Sequence, residues 1–310
     1  MSENQNNIPK LQSIGLVKSF KDYTLKEMRF IYRGLYYCFS NPLNILRYVF
    51  WAKSVDKGVK PDADWFEYKP IKPTNKGILL CHGFSSTPQE LKPIAMKLLE
   101  QGYHVRAIRL AGHGTTPAHM AQTTGSDWFA SVIWHYQELR KQCNQIAYVG
   151  HSLGGTLGLL LSTIFPIKTI IVFCTPIKLR IRSAKYVREV SVFVKYWPRS
   201  IKKIKVINEL GLAKYKVSPL FSVAGIFEVG NVLRKRSDYL SLPVLYVRAL
   251  GDHKTLIDQP DVFKKYFPKT PTEFRDIDSG HSVFLDDKKD QIEEWIIDWM
   301  QDNFSNIEEN

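Results

Sequence analysis

The chain has 310 residues, 44% of them hydrophobic and 13% aromatic, enough to bury one large core or two small ones. That composition excludes a disordered or collagen-like chain. The net charge of +13 calls for a basic surface suited to membranes, anionic ligands or nucleic acid. Four cysteines (Cys38, Cys81, Cys143, Cys174) lack metal-ligand spacing, and Cys81 and Cys174 fall in apolar runs where a reduced thiol acts as a small hydrophobe.

The first ten residues, MSENQNNIPK, are polar and lack the charged-then-apolar order of a secretory signal. The uncharged stretch 34–46 is broken by Ser-Asn-Pro and falls short of the roughly 18 residues that a membrane span needs. A reducing, cytoplasmic location is therefore expected. Residues 1–60 read as a helical appendage, with a capping box at Thr24 and Glu27 and a second helix start at Asn41-Pro42. Within it, "MRFIYRGLYYCFSNPLNILRYVFWAK" mixes aromatics with Arg29, Arg33, Arg47 and Lys53, as an interfacial segment does. Packing of these helices on the core, or on a second subunit, is the competing expectation.

From Lys76 onward short β-rich runs alternate with helical patterns, which predicts a mostly parallel sheet with helices on both faces. "GILLCHGF" is a buried strand. "TPQELKPIAMKLLEQG" is a helix, with Thr87 and Glu90 spaced as a capping box and Gly102 as its stop. "YHVRAIRL", "QIAYVGHS", "KTIIVFCTP", "PVLYVRALGD" and "TEFRDIDSGH" are further strands. "DWFASVIWHYQELRKQ", "LGGTLGLLLSTIF", residues 259–267 and "DQIEEWIIDWMQDN" are helices. The α/β core is thus expected over 61–176 and 241–304, with a disordered tail over 305–310. The interruption at 177–240 carries fifteen Lys and Arg against four acidic residues, so most of the net charge is local. It reads as an inserted cap over the carboxyl ends of the strands, with its cations outward and "SVFVKYW" and "PLFSVAGIFEVGNVL" lining a pocket.

In open α/β sheets ligands bind beyond the carboxyl ends of the strands. Ser152 ends one strand in the pattern Gly150-His151-Ser152-Leu153-Gly154. That pattern suits a nucleophile on a sharp strand-to-helix turn, and equally two glycines that permit tight packing. A serine hydroxyl needs a base, the base needs a carboxylate to fix its tautomer, and the oxyanion needs two N–H donors. His281 follows one strand and Asp252 another, so Ser152, Asp252 and His281 form a candidate triad in the chain order Ser–Asp–His. Asp258 is a rival for the carboxylate role, although its place before a helix suits capping. The amides of Leu153 and of Phe84, in "HGF", are the candidate oxyanion donors.

"LLCHGFSSTPQEL", "LAGHGTTP", "GSDWF", "GHSLGG" and "DSGH" together resemble the carboxylesterase and monoglyceride-lipase branch of the α/β-hydrolases, over about residues 66–303. The resemblance implies an α/β-hydrolase fold with an inserted helical cap, and an acyl-enzyme formed on Ser152. It carries the triad onto Ser152, Asp252 and His281 and the oxyanion donors onto Phe84 and Leu153. The segment "ALGDHKTLID" departs from the family's usual continuation after the aspartate. The implied substrate is a small acyl ester, of short-to-medium chain or a monoacylglycerol. A thioesterase or acyltransferase with the same triad, and a non-catalytic binding protein on this fold, are the alternatives.

His113 and Trp128 are candidate pocket residues; His82 is read as a brace of its loop, and His151 and His253 as structural. No metal, nucleotide or other cofactor pattern occurs. The basic residues lack any nucleic-acid motif, so no nucleic-acid partner is expected; peripheral membrane contact through the appendage and cap is the alternative to their packing on the core or on a second subunit.

Overall fold

The computed structural model describes residues 58–178, 186–191, 193–209, 211–253 and 259–304. The expectations for residues 1–57, for the tail 305–310 and for Asp258 lie outside the described residues. A seven-stranded sheet is built from β1 (Phe66–Tyr68), β2 (Lys76–Cys81), β3 (His104–Ile108), β4 (Gln145–His151), β5 (Ile170–Phe173), β8 (Val244–Ala249) and β9 (Thr272–Ile277), in the order β1-β3-β2-β4-β5-β8-β9. Every pairing in it is parallel except β1 with β3.

The central strands are buried along nearly their whole length, as strands covered on both faces must be. Side chains still alternate between two cores. Ile78 and Leu80 of β2 pack with α1 (Lys92–Glu100) and α9 (Lys289–Phe304), while Leu79 and Cys81 pack with α3 (Gly125–Arg140) and α4 (Leu153–Ser162). Each such aliphatic side chain taken from water contributes about 1.5–3 kcal/mol. Helix α8 (Gln259–Tyr266) adds Phe263 to the second core.

Strand β1 has no counterpart among the expected elements. Three residues are too few for a period, and an ion pair locates them. Glu67 lies opposite Arg106 in the antiparallel register, its carboxylate 3.2 Å from that guanidinium and 2.8 Å from His104 Nε2. Burial pushes the Glu67 carboxyl up, but the His104 bond and the Arg106 charge outweigh it and bring it to about 2. The same guanidinium stacks on Trp65, 4.3 Å from its ring centre.

Between β5 and β8 lies the inserted segment. It contains α5 (Val187–Val190), the antiparallel pair β6 (Tyr196–Pro198) and β7 (Val217–Pro219), α6 (Ile201–Glu209) and α7 (Leu220–Lys235). Helix α7 packs on α3 so closely that a Cβ on Gly225 would stand 2.8 Å from the Gly125 nitrogen. "SVFVKYW" does not line a pocket as expected: Phe193 is 88% and Trp197 62% exposed. Trp197 lies in β6, whose three residues are all exposed, and Phe193 precedes that strand.

The capping box expected at Thr87 and Glu90 does not form. A 3-10 turn over Pro88–Leu91 precedes α1, and Thr87 makes no side-chain cap bond. Glu90 instead turns inward, where Oε2 accepts from Ser86 Oγ at 2.5 Å and from Lys214 Nζ at 2.9 Å, and Oε1 faces His151 Nδ1 at 3.3 Å. The box that does form caps α3: the Thr124 N–H donates to Asp127 at 2.8 Å. Burial opposes ionisation of Glu90, and the Lys214 charge with the His151 bond outweighs it, holding the carboxyl well below its usual range.

The Glu90→Gln variant leaves Lys214 beside a neutral amide, and urea unfolding at pH 7 should show a loss of about 3–5 kcal/mol. A carboxyl depressed by folding contributes fully above its ordinary value of 4.5 and progressively less as the pH falls below it. The acid limb of the stability curve should therefore be shallower in Glu90→Gln than in the parent; superimposable limbs would show that the carboxylate contributes nothing.

Candidate active site

Ser152 closes β4 and opens α4 with φ 52° and ψ −117°, a left-handed conformation that a non-glycine residue holds only under constraint. The flanking glycines are what make this turn possible. A Cβ on Gly150 would lie 2.6 Å from the Gly155 Cα, and one on Gly154 would lie 2.3 Å from the Cys81 carbonyl oxygen. Both are distances that side chains do not tolerate, so the glycine spacing serves the turn itself. The Ser152 N–H donates to the Phe173 carbonyl at 2.8 Å, which ties the turn to β5. Helix α4 points its N-terminus, with the partial positive charge of its free amides, toward Ser152.

His281 and Asp252 come from the loops after β9 and β8 and meet at 2.7 Å, His281 Nδ1 to Asp252 Oδ2. The carboxylate is almost fully covered, while the imidazole keeps some exposure. With Nδ1 facing the carboxylate, Nε2 is the ring's second nitrogen, on the side away from Asp252. Three hydrogen bonds fix this loop. Asp286 accepts from Ser279 Oγ at 2.6 Å and from the Gly280 N–H at 3.3 Å, and the His281 carbonyl accepts from His151 Nε2 at 2.7 Å. His281 is thereby fastened to the residue that immediately precedes Ser152, with the two imidazole centres 5.1 Å apart.

The "HGF" loop after β2 lies against the same turn: a Cβ on Gly83 would meet the Ser152 Cβ at 3.3 Å. Among the described residues, neither the Phe84 amide nor the Leu153 amide donates to a protein acceptor. His82 braces the loop. Its Nε2 accepts from the Leu110 N–H at 3.3 Å, which leaves Nδ1–H to donate to the Gly83 carbonyl at 2.9 Å. Burial lowers His82 to about 4, so it stays neutral while holding this tautomer.

His113 and Trp128 are both fully buried behind Phe84, whose ring stands 6.1 Å from the first and 5.7 Å from the second. Trp128 donates to Thr123 at 3.0 Å; His113 Nδ1 faces the Ala111 carbonyl at 3.1 Å, and its Nε2 has no protein partner. Burial holds His113 well below its ordinary value, hence neutral. His151, Cys174 and His281 bring ligand-type atoms within 4.8 Å of one another. Both ring nitrogens of His151 and Nδ1 of His281 are already engaged, so the three offer no vacant ligand set.

The sequence pattern marked Glu90 only as half of a capping box and did not mark Asp286, Lys214 or Arg199. Lys214 and Arg199 belong to a segment whose cations were expected outward, yet both reach the loop after β2, Lys214 to Glu90 and Arg199 Nη2 to Ser85 Oγ. Tyr215 adds a third tie, donating to the Gly112 carbonyl at 2.5 Å and accepting from the Thr115 N–H at 2.9 Å.

The chain is 25% identical to a carboxylesterase of Bacillus subtilis (strain 168) over 236 residues, which covers 74% of this chain and 94% of that one. Over 90 residues, 29% of this chain and 36% of the relative, it is 44% identical to a thermostable monoacylglycerol lipase of Bacillus sp. (strain H-257). Among solved structures it resembles one described with the metagenome-derived lipolytic enzymes LipS and LipT, with a TM-score of 0.70 and 24% identity over 79% of this chain and 99% of that one. The sequence profile of the alpha/beta hydrolase family matches residues 78–295, about two thirds of the chain and nearly all of the sheet, and the chain belongs to that family.

Proposed function

We propose that the chain is a serine carboxylesterase acting on acyl esters of short-to-medium chain or on monoacylglycerols. The His281–Asp252 bond beside the Ser152 turn is the observation that carries the reading. The names of the two curated relatives support the substrate class.

In this mechanism Ser152 Oγ adds to the ester carbonyl while its proton passes to His281 Nε2, and Asp252 stabilises the resulting imidazolium through Nδ1. The oxyanion takes the amide hydrogens of Leu153 and Phe84, each such donor being worth about 3–4 kcal/mol. Collapse expels the alcohol, which leaves with the proton from His281, and the acyl group remains on Ser152. Water then repeats the sequence: its proton goes to His281, its oxygen to the acyl carbon, and the carboxylic acid departs as Ser152 recovers its proton.

The cap also supports peripheral contact with an anionic membrane. Phe193, Trp197 and Ile201 are 88%, 62% and 86% exposed within a segment where cations outnumber acidic residues fifteen to four. No helix among the described residues is long and apolar enough to cross a membrane.

The Ser152→Ala variant should lose labelling by a fluorophosphonate, with kcat on p-nitrophenyl butyrate lower by about 10⁶; most activity retained would end the proposal. Asp252→Asn, which spoils the tautomer and leaves the shape, should cost about 10⁴ in kcat. In flotation assays the full chain should rise with vesicles rich in phosphatidylserine and not with neutral ones. Phe193→Ser with Trp197→Ser should abolish that rise, and equal recovery of parent and variant would remove the membrane contact.

A further inference from the structure

Among the described residues, two cations of the inserted segment reach the loop after β2, and their surroundings differ. Lys214 meets the Glu90 carboxylate at 2.9 Å. Arg199 meets a neutral hydroxyl: Nη2 donates to Ser85 Oγ, while Nε, on the same edge of the guanidinium, is buried and has no partner among the described residues. Arg106 and Arg109, also enclosed, each face a carboxylate, Glu67 at 3.2 Å and Asp64 at 2.8 Å. Burial acts on Arg199 without an opposing charge and weakens its hold on the proton.

Arg199 is held firmly in this place. Its own N–H donates to the Lys216 carbonyl at 3.1 Å, tying the end of β6 to the start of β7. Ser85 is 1% exposed and takes a left-handed φ of 55°, so the hydroxyl that Arg199 reaches is itself fixed. Ser85 immediately follows Phe84, the residue whose amide is the proposed oxyanion donor. Arg199 is therefore bonded to the residue next in sequence to that proposed donor. Nε–H is unmet, and Nη2 carries a second hydrogen beyond the one given to Ser85, so the guanidinium has donor capacity left for the oxygens of a carboxylate or phosphate. A charged oxyanion makes stronger, charge-assisted hydrogen bonds with a guanidinium than a neutral ester carbonyl does.

We propose that Arg199, with Ser85, forms a subsite for an oxyanionic group, a carboxylate or a phosphate, carried on the substrate close to the bond that is cleaved. This rests on the esterase reading and narrows it to anionic esters. Arg199 chooses the substrate; the triad acts on it.

The test compares two matched pairs of esters on the full chain and on Arg199→Gln and Arg199→Lys. In the first pair, p-nitrophenyl butyrate is set against mono-p-nitrophenyl glutarate, which carries a carboxylate on the acyl side. In the second, a monoacylglycerol is set against the 1-acylglycerol-3-phosphate of the same chain length, which carries a phosphate on the alcohol side. For one pair, the parent should favour the anionic member at least tenfold in kcat/KM, chiefly through KM. Arg199→Gln should bring that ratio near one, and Arg199→Lys, which keeps the charge and loses the fork, should fall between. The pair that responds identifies the source of the anion. The subsite is overturned if the parent prefers neither anionic ester, or if Arg199→Gln lowers both members of each pair alike. Failure of the esterase reading looks different: no ester is cleaved and no fluorophosphonate is bound. In that event calorimetric titration with glutarate and with glycerol 3-phosphate still reads the subsite. Binding that vanishes in Arg199→Gln upholds it, and absent or equal binding overturns it.

Discussion

One buried carboxylate determines where three loops and the cap can lie. Glu90 is enclosed and held ionised, and an ionised carboxylate taken out of water costs several kcal/mol unless several donors meet it together. Its partners come from distant parts of the chain: Ser86 beside the "HGF" turn, His151 at the end of β4, and Lys214 in the insertion. Because each must be present at once, the loop after β2, the Ser152 turn and the cap are fixed relative to one another. The constraint extends one step further through His151, whose Nε2 holds the His281 carbonyl. Asp252 orients the His281 ring, and Glu90, acting through His151, positions the backbone that carries it.

The carboxyl edge of the sheet is also where the backbone is strained. Ser85, Ser152 and Cys174 lie beyond β2, β4 and β5, and all three are non-glycine residues with φ near 50°. Such conformations cost on the order of 1–3 kcal/mol each and persist only where surrounding contacts over-determine them. Here the contacts are visible: the Ser152 N–H on the Phe173 carbonyl, the Cys174 N–H on the Val247 carbonyl, and the Arg199 bond to Ser85. Strain placed side by side on three neighbouring strands turns their ends sharply away from the sheet. That leaves room above it for Ser152, His281 and the "HGF" loop to converge.

The parallel sheet and its helices were legible in the sequence because apolar runs of strand length alternate there with 3.6-residue periods. The Ser152, His281 and Asp252 positions were legible because each follows closely on a strand-like run. Other features were not, for physical reasons. Strand β1 is too short for a period and is located by a cross-strand ion pair between residues 39 apart, Glu67 and Arg106. The Thr87 and Glu90 spacing is that of a capping box, and no local pattern distinguishes a glutamate that caps from one drawn inward by Lys214, a residue far along the chain. A run of lysines and arginines reads as a solvated face, and sequence spacing alone does not single out the two that reach the loop after β2.

The cap is fastened to the site by the side chains that also shape it. Lys214 ends on the carboxylate that holds His151, Tyr215 on the Gly112 and Thr115 backbone, and Arg199 on the hydroxyl next to Phe84. A cap held only by apolar packing, like that of Gly225 on Gly125, could shift without disturbing the loops beneath. One held through these polar ties cannot: displacing Lys214 leaves Glu90 without its strongest partner, and displacing Arg199 releases Ser85 from its strained turn. Whatever the cap admits therefore bears on the loops that carry Phe84 and Ser152. The place of the cap and the alignment of the loops beneath it are thus two consequences of the same set of bonds.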